Sequence, residues 1–143
     1  MINPYITLDG HKYAVMKDTY IRKWNRSFSS QLAANIVRLN FVDRGPGIRI
    51  YSFSIMCNTW PTDSEPYRAG ITQTEEEQRT NLEASYAKVA TSLQYLDPFG
   101  NPPSASTGVF FTNLTQIVPA YSTGQKQYTL YEIELTESTQ VVA

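Results

Sequence analysis

A chain of 143 residues with a formal net charge of −1, a single cysteine and a single histidine excludes several classes at once. It is long enough for one domain with a real core; it lacks a nucleic-acid binder's basic balance; and one Cys with one His makes neither an internal disulfide nor the usual zinc site within a chain. Residues 1–13 have neither the basic start nor the apolar run of a signal peptide, and no stretch approaches a membrane span, so a cytoplasm-made protein with no membrane partner is expected.

Charged residues are only 17% of the chain, and tyrosine reaches ten. Tyrosine offers a large contact area with a polar tip, so this balance fits a surface partly covered by neighbours. Strand-rich domains also favour tyrosine.

Residues 5–8 form a first strand. Asp9-Gly10 is a hairpin signal, because both residues reach positive φ, and 12–16 returns alongside. Residues 19–24 alternate as a strand whose buried face is open, with Trp24 as a core or interface anchor, or else a sugar-stacking platform. Residues 27–34 fit either a loop or an extended edge. Residues 35–42 alternate cleanly, with Val37, Leu39 and Phe41 on one face. The turn 43–47 (DRGPG) breaks that strand: two glycines flank a proline, and Asp43 can bond its own backbone.

Residues 48–57 are the most apolar strand. Tyr51, Phe53, Ile55 and Cys57 share one face, Ile48 and Ile50 the other. That switch of face points to a bulge or to a strand passing between two environments. This strand is expected to pair with 35–42 through the DRGPG turn. Residues 58–73 are a long loop bearing Trp60 and Tyr67, the kind that contacts partners.

The stretch 74–96 is the one long helical pattern. Leu82, Tyr86, Val89, Leu93 and Leu96 recur every three or four residues. Thr74 with Glu77 forms a capping box, and Glu75, Glu76 and Glu77 suit the helix dipole. Pro98 bars continuation. The turn 95–100 presents Phe99, and 101–108 is a polar loop. A strand restarts over 109–118, with Val109 and Phe111 on one face. The closing strand 127–137 turns Tyr131, Ile133 and Leu135 inward and Glu132 and Glu134 outward, toward solvent or a lumen. Residues 138–143 form a mobile or docking tail. The expected fold is mainly β, a single-domain β-sandwich or split β-barrel with one flanking α-helix.

Catalytic constellations are missing. There is no Gly-x-Ser-x-Gly elbow, His11 lies beside a turn with no motif around it, and nothing in the sequence brings Asp43 and Glu132 to the separation glycoside hydrolysis needs. No enzyme activity, cofactor or metal is expected.

The segments ITLDG near the start, LNFVDRGP leading into IRIYSFSIMC, one helix in the second half, then YLDPFG, GVFFTNL and LYEIELTE resemble, in pattern and order, the distal-tail and tube-like tail-tip proteins of bacteriophages over residues 6–137. The resemblance implies a virion structural subunit that joins its neighbours in a closed ring, commonly of six. Such a ring continues the tail channel, anchors adjoining tail-tube, tail-tip or baseplate proteins, and meets DNA only as passing cargo. On that reading Trp24, Arg44, Trp60, Tyr67 and Phe99 are candidate protein–protein contacts, and Glu132 and Glu134 a candidate lumen face. Alternatives are a small sugar-binding β-sandwich module and a capsid-decoration or head–tail connector protein.

Overall fold

The structure is a computed structural model that describes residues 4–25, 28–32, 39–43, 48–88, 92–103, 108–119 and 128–137. Strands β1 (Tyr5–Leu8) and β2 (His11–Val15) form the expected hairpin. Asp9 and Gly10 take φ of 52° and 81°, the primed-turn geometry that matches strand twist.

Strand β3 is Ile21–Asn25, β4 is Phe28–Leu32 and β5 is Leu39–Asp43. The long strand β6 (Ile48–Cys57) is followed by a one-turn helix α1 (Glu65–Arg68), then α2 (Glu75–Ala87). Strands β7 (Tyr95–Leu96), β8 (Val109–Ile117) and β9 (Thr129–Glu137) complete the order.

The main sheet has seven strands in the order β7-β1-β2-β6-β9-β8, with β3 also on β6. All of its strand pairs are antiparallel. Strands β2 and β3 share one side of β6: Ala14 and Val15 face Met56 and Ile55, while Ile21–Asn25 face Ser52–Ile48. The excursion between them is fixed by Thr19, whose hydroxyl donates to Met16 O and accepts from Ser54 N. A bridge from Leu93 to Val109 ties β8 to the segment leading into β7. These pairings establish a mainly β fold; sandwich packing or barrel closure goes beyond them.

One face of the sheet is the core. Tyr51, Phe53, Ile55 and Cys57 on β6 meet Tyr131, Ile133 and Leu135 on β9, all buried, and Ile6, Leu8, Tyr13, Leu82, Leu93, Tyr95 and Val109 join them. At about 1.5–3 kcal/mol for each large side chain fully buried, this cluster dominates the stability. Alternation alone explains it, because successive strand side chains point to opposite faces.

Several expectations are corrected. Among the described residues, strand β5 pairs with β4 in a separate two-stranded sheet and not with β6. Of the two expectations for the switch of face in β6, the bulge is overturned: the register with β9 runs unbroken from Ile50 to Cys57, and the bulge is in β8, between Phe111 and Asn113. The other, a strand passing between two environments, agrees with β6 pairing with β3 over Ile48–Ser52 and with β2 at Ile55 and Met56. The loop 58–73 contains α1. Helix α2 begins at the predicted capping box but stops at Ala87, and the continuing apolar period belongs to extended chain at Leu93 and in β7.

The buried stripe of α2 is Glu75, Gln78, Leu82 and Ser85, with Tyr86 exposed. Each polar member makes at least one hydrogen bond, and the buried Oε1 of Gln78 is left without a partner among the described residues. Glu75 accepts from the Thr129 hydroxyl at 2.6 Å and pairs with Arg79. Gln78 donates to Asn58 O and Gln73 O, and Ser85 donates to Asp9 at 2.7 Å. Buried polar groups survive when bonded in this way.

Candidate functional site

Strand β3 pairs only with β6 among the described residues. Its outer edge is therefore unpaired there, and an unpaired edge is a template for another strand unless something blocks it. Alternation places Ile21 and Lys23 on the face of Ser52 and Ile50, and Arg22 and Trp24 on the face of Tyr51 and Arg49. Ile21 is 57% exposed and Trp24 55%.

Trp24 is held in place. The Arg22 guanidinium lies 4.7 Å from the centre of its ring, and Arg22 Nη1 is 3.9 Å from Asp97 Oδ2. The buried Asp97 accepts from the backbone N–H groups of Phe99 and Asn101, each at 2.9 Å. Gly100, at φ 80°, lets this turn close. The turn presents Phe99, 53% exposed, above these two hydrogen bonds. Arg22 and Asp97 thus connect the two exposed aromatics through one ion pair.

Beside them is a cavity of about 420 Å³ lined by Val15, Met16, Lys17, Asp18, Tyr20 and Pro98 with Pro4. Tyr20 and Tyr95 share a hydrogen bond between their hydroxyls. Burial pushes the phenol of each well above the ordinary range, so both stay neutral.

The open face of the sheet is different. Ser52, Ser54, Asn113, Glu132 and Glu134 border a groove of about 250 Å³ there. Glu134 accepts from the Thr112 hydroxyl at 2.9 Å. On the far edge, Ile117 and Val118 are exposed, at 40% and 59%.

Of the residues singled out in the sequence, Trp24 and Phe99 fall on one patch, and Glu132 and Glu134 occupy the outward face. Trp60 is half-buried with its indole N–H buried and unpartnered, and Tyr67 is half-buried on α1, so neither is a prominent exposed anchor. Arg44 lies outside the described residues. Sequence reasoning missed Ile21, Arg22, Asp97, Ile117 and Val118. The alternation of β3 and β8 was the available signal, but it does not reveal which strands are edges.

The chemistry of reaction is sparse. Burial raises the Cys57 thiol to about 12, which leaves it inert. Among the described residues no group of three or more His, Cys, Asp or Glu could hold a metal ion, and no helix is long and apolar enough to cross a membrane. No protein-family model matches the chain, and no curated protein matches it.

Proposed function

We propose that this chain is a structural subunit of a phage tail, a distal-tail or tail-tip component that joins copies of itself in a ring. The observation that carries this reading is the edge of β3, which has no strand partner besides β6 among the described residues and where the exposed Ile21 and Trp24 adjoin an apolar cavity and the Phe99 turn. An edge of this kind favours aggregation when left open, and a closed ring removes it by pairing copies. The likeness in segment order to tail-tip proteins supplies the virion setting. The hydroxyls and carboxylates of Ser52, Ser54, Glu132 and Glu134 suit a channel lining along which DNA slides without sticking.

The sugar-binding alternative has less behind it. One face of Trp24 already carries Arg22, and Trp60 is half-buried.

Native mass spectrometry and light scattering on the purified chain, with negative-stain imaging of the same sample, test the proposal. A closed ring of about six copies is expected, the number the resemblance implies. A chain that stays monomeric up to its highest soluble concentration overturns it.

A further inference from the structure

We propose that β3 of one copy receives β8 of the next, head to tail, with Ile117 set against Ile21, Leu114 against Trp24, and Val118 entering the cavity beside Tyr20. This rests on the ring reading above and names the two surfaces that meet.

Direction is the first argument. Strands β3, β6, β9 and β8 succeed one another antiparallel. Placing the next copy's β8 beside β3 continues that alternation. It also brings the C-terminal end of β8 to the Tyr20 end of β3, where the cavity lies.

Parity is the second. Residues opposed across a sheet must share a face. Asn113, Thr115 and Ile117 oppose Glu134, Glu132 and Leu130, on the open face; Leu114 and Gln116 oppose Ile133 and Tyr131, on the core face. With Ile117 opposite Ile21, Thr115 faces Lys23 on the open side, while Gln116 faces Arg22 and Leu114 faces Trp24 on the core side. Every pair keeps its face. Val118 then stands opposite Tyr20, whose ring stacks on Phe53 at 5.5 Å. Pro119 follows and keeps Val118 extended. Within one copy Ile21 is level with Asn113, through Ser52 and Glu134. The register therefore offsets successive copies by about four residues, and a sheet closing on itself requires such a stagger.

Charge is the third. The β3 edge carries Arg22 and Lys23, while β8 is uncharged and backed by Glu132 and Glu134 of β9. In this register Lys23 is two strands, about 10 Å, from the next copy's Glu132 on the same face, within reach of two long side chains. Two β3 edges paired about a two-fold axis would instead bring their cations together. Two β8 edges so paired would leave Trp24 and the cavity uncovered.

Cysteine pairing tests the register in variants whose circular dichroism matches the unmodified chain. Opposed residues in an antiparallel pair have Cα separations that a disulfide spans. A mixture of Ile21→Cys and Ile117→Cys proteins is expected to form a mixed disulfide dimer under mild oxidation, with neither variant alone doing so. Val118→Asp and Trp24→Ala should each raise the concentration at the assembly midpoint by about tenfold or more, as central anchors do. Lys23→Glu should weaken assembly, and adding Glu132→Lys should restore it. Rings that form while the mixed pair stays uncrosslinked overturn this register and leave the ring reading standing. Homotypic crosslinks of either variant also overturn it. Failure of the unmodified chain to assemble removes the ring reading itself, and the docking falls with it.

Discussion

A Cβ placed on Gly108 would stand 2.4 Å from the carbonyl oxygen of Leu93. That approach is what allows the bridge in which Leu93 and Val109 exchange backbone hydrogen bonds of 2.8 and 3.0 Å. Gly108 also has φ 106°, where a side chain is strained. Gly108→Ala is expected to cost about 2–4 kcal/mol, since backbone atoms must move. Denaturant unfolding checks it, and no loss, or a gain of about 0.4–1 kcal/mol as at unstrained positions, would mean the approach relaxes cheaply.

Asp9 locks the hairpin turn to the last turn of α2, accepting from the Ser85 hydroxyl and from Lys88 Nζ, each at 2.7 Å. Burial works against its charge, but the hydrogen bonds from Lys88 and Ser85 and the Lys88 charge outweigh it, and the carboxyl is held below its usual value. A depressed folded-state pKa gives stability that is present above the unfolded value and lost as pH falls through the folded one. Asp9→Asn keeps the turn's preference for positive φ while removing the charge. It should cost about 1 kcal/mol near neutrality, on the scale of a partly exposed ion pair with a hydrogen bond. The gap between the two proteins should close below about pH 4. Parallel melts across that range decide it; a gap independent of pH counts against a charge effect.

Tyr13, Tyr20, Tyr51, Tyr95 and Tyr131 all have phenols raised by burial, Tyr51 to about 12 with a further push from Glu137. Raised values mean that the folded chain keeps protons the unfolded chain releases. Their stabilising contribution is complete below the unfolded value near 10 and declines as pH rises above it. The phenolate absorbance of these five, half of the chain's ten tyrosines, should therefore appear in a step that coincides with loss of circular dichroism. Independent titration of these tyrosines in folded protein near pH 10, roughly the free phenol value, would contradict the burial.

Thr74 caps α2: its hydroxyl accepts from Glu77 N at 3.2 Å, and the Glu77 carboxylate accepts from Thr74 N. Thr74→Ala should cost about 1 kcal/mol. Helix amide exchange should rise first in the initial turn, which hydrogen-exchange mass spectrometry reads directly.

The sequence alone determined what depends on neighbours in the chain. Asp9-Gly10 set the hairpin because left-handed backbone is local, and Thr74 with Glu77 set the start of α2 because a capping box spans four residues. The alternation in 51–57 and 131–135 fixed the core face because side-chain period is a property of the strand. Where α2 ends depends on contacts remote in the chain, since Leu93 continues the helical period yet hydrogen-bonds to Val109 as extended chain. Only the tertiary structure decided that β6 lies between β9 and the β2–β3 side, leaving β5 with β4. The patch followed from that choice. Trp24 and Phe99 are distant in sequence, and a long-range ion pair between Arg22 and Asp97, invisible to any local period, is what joins them.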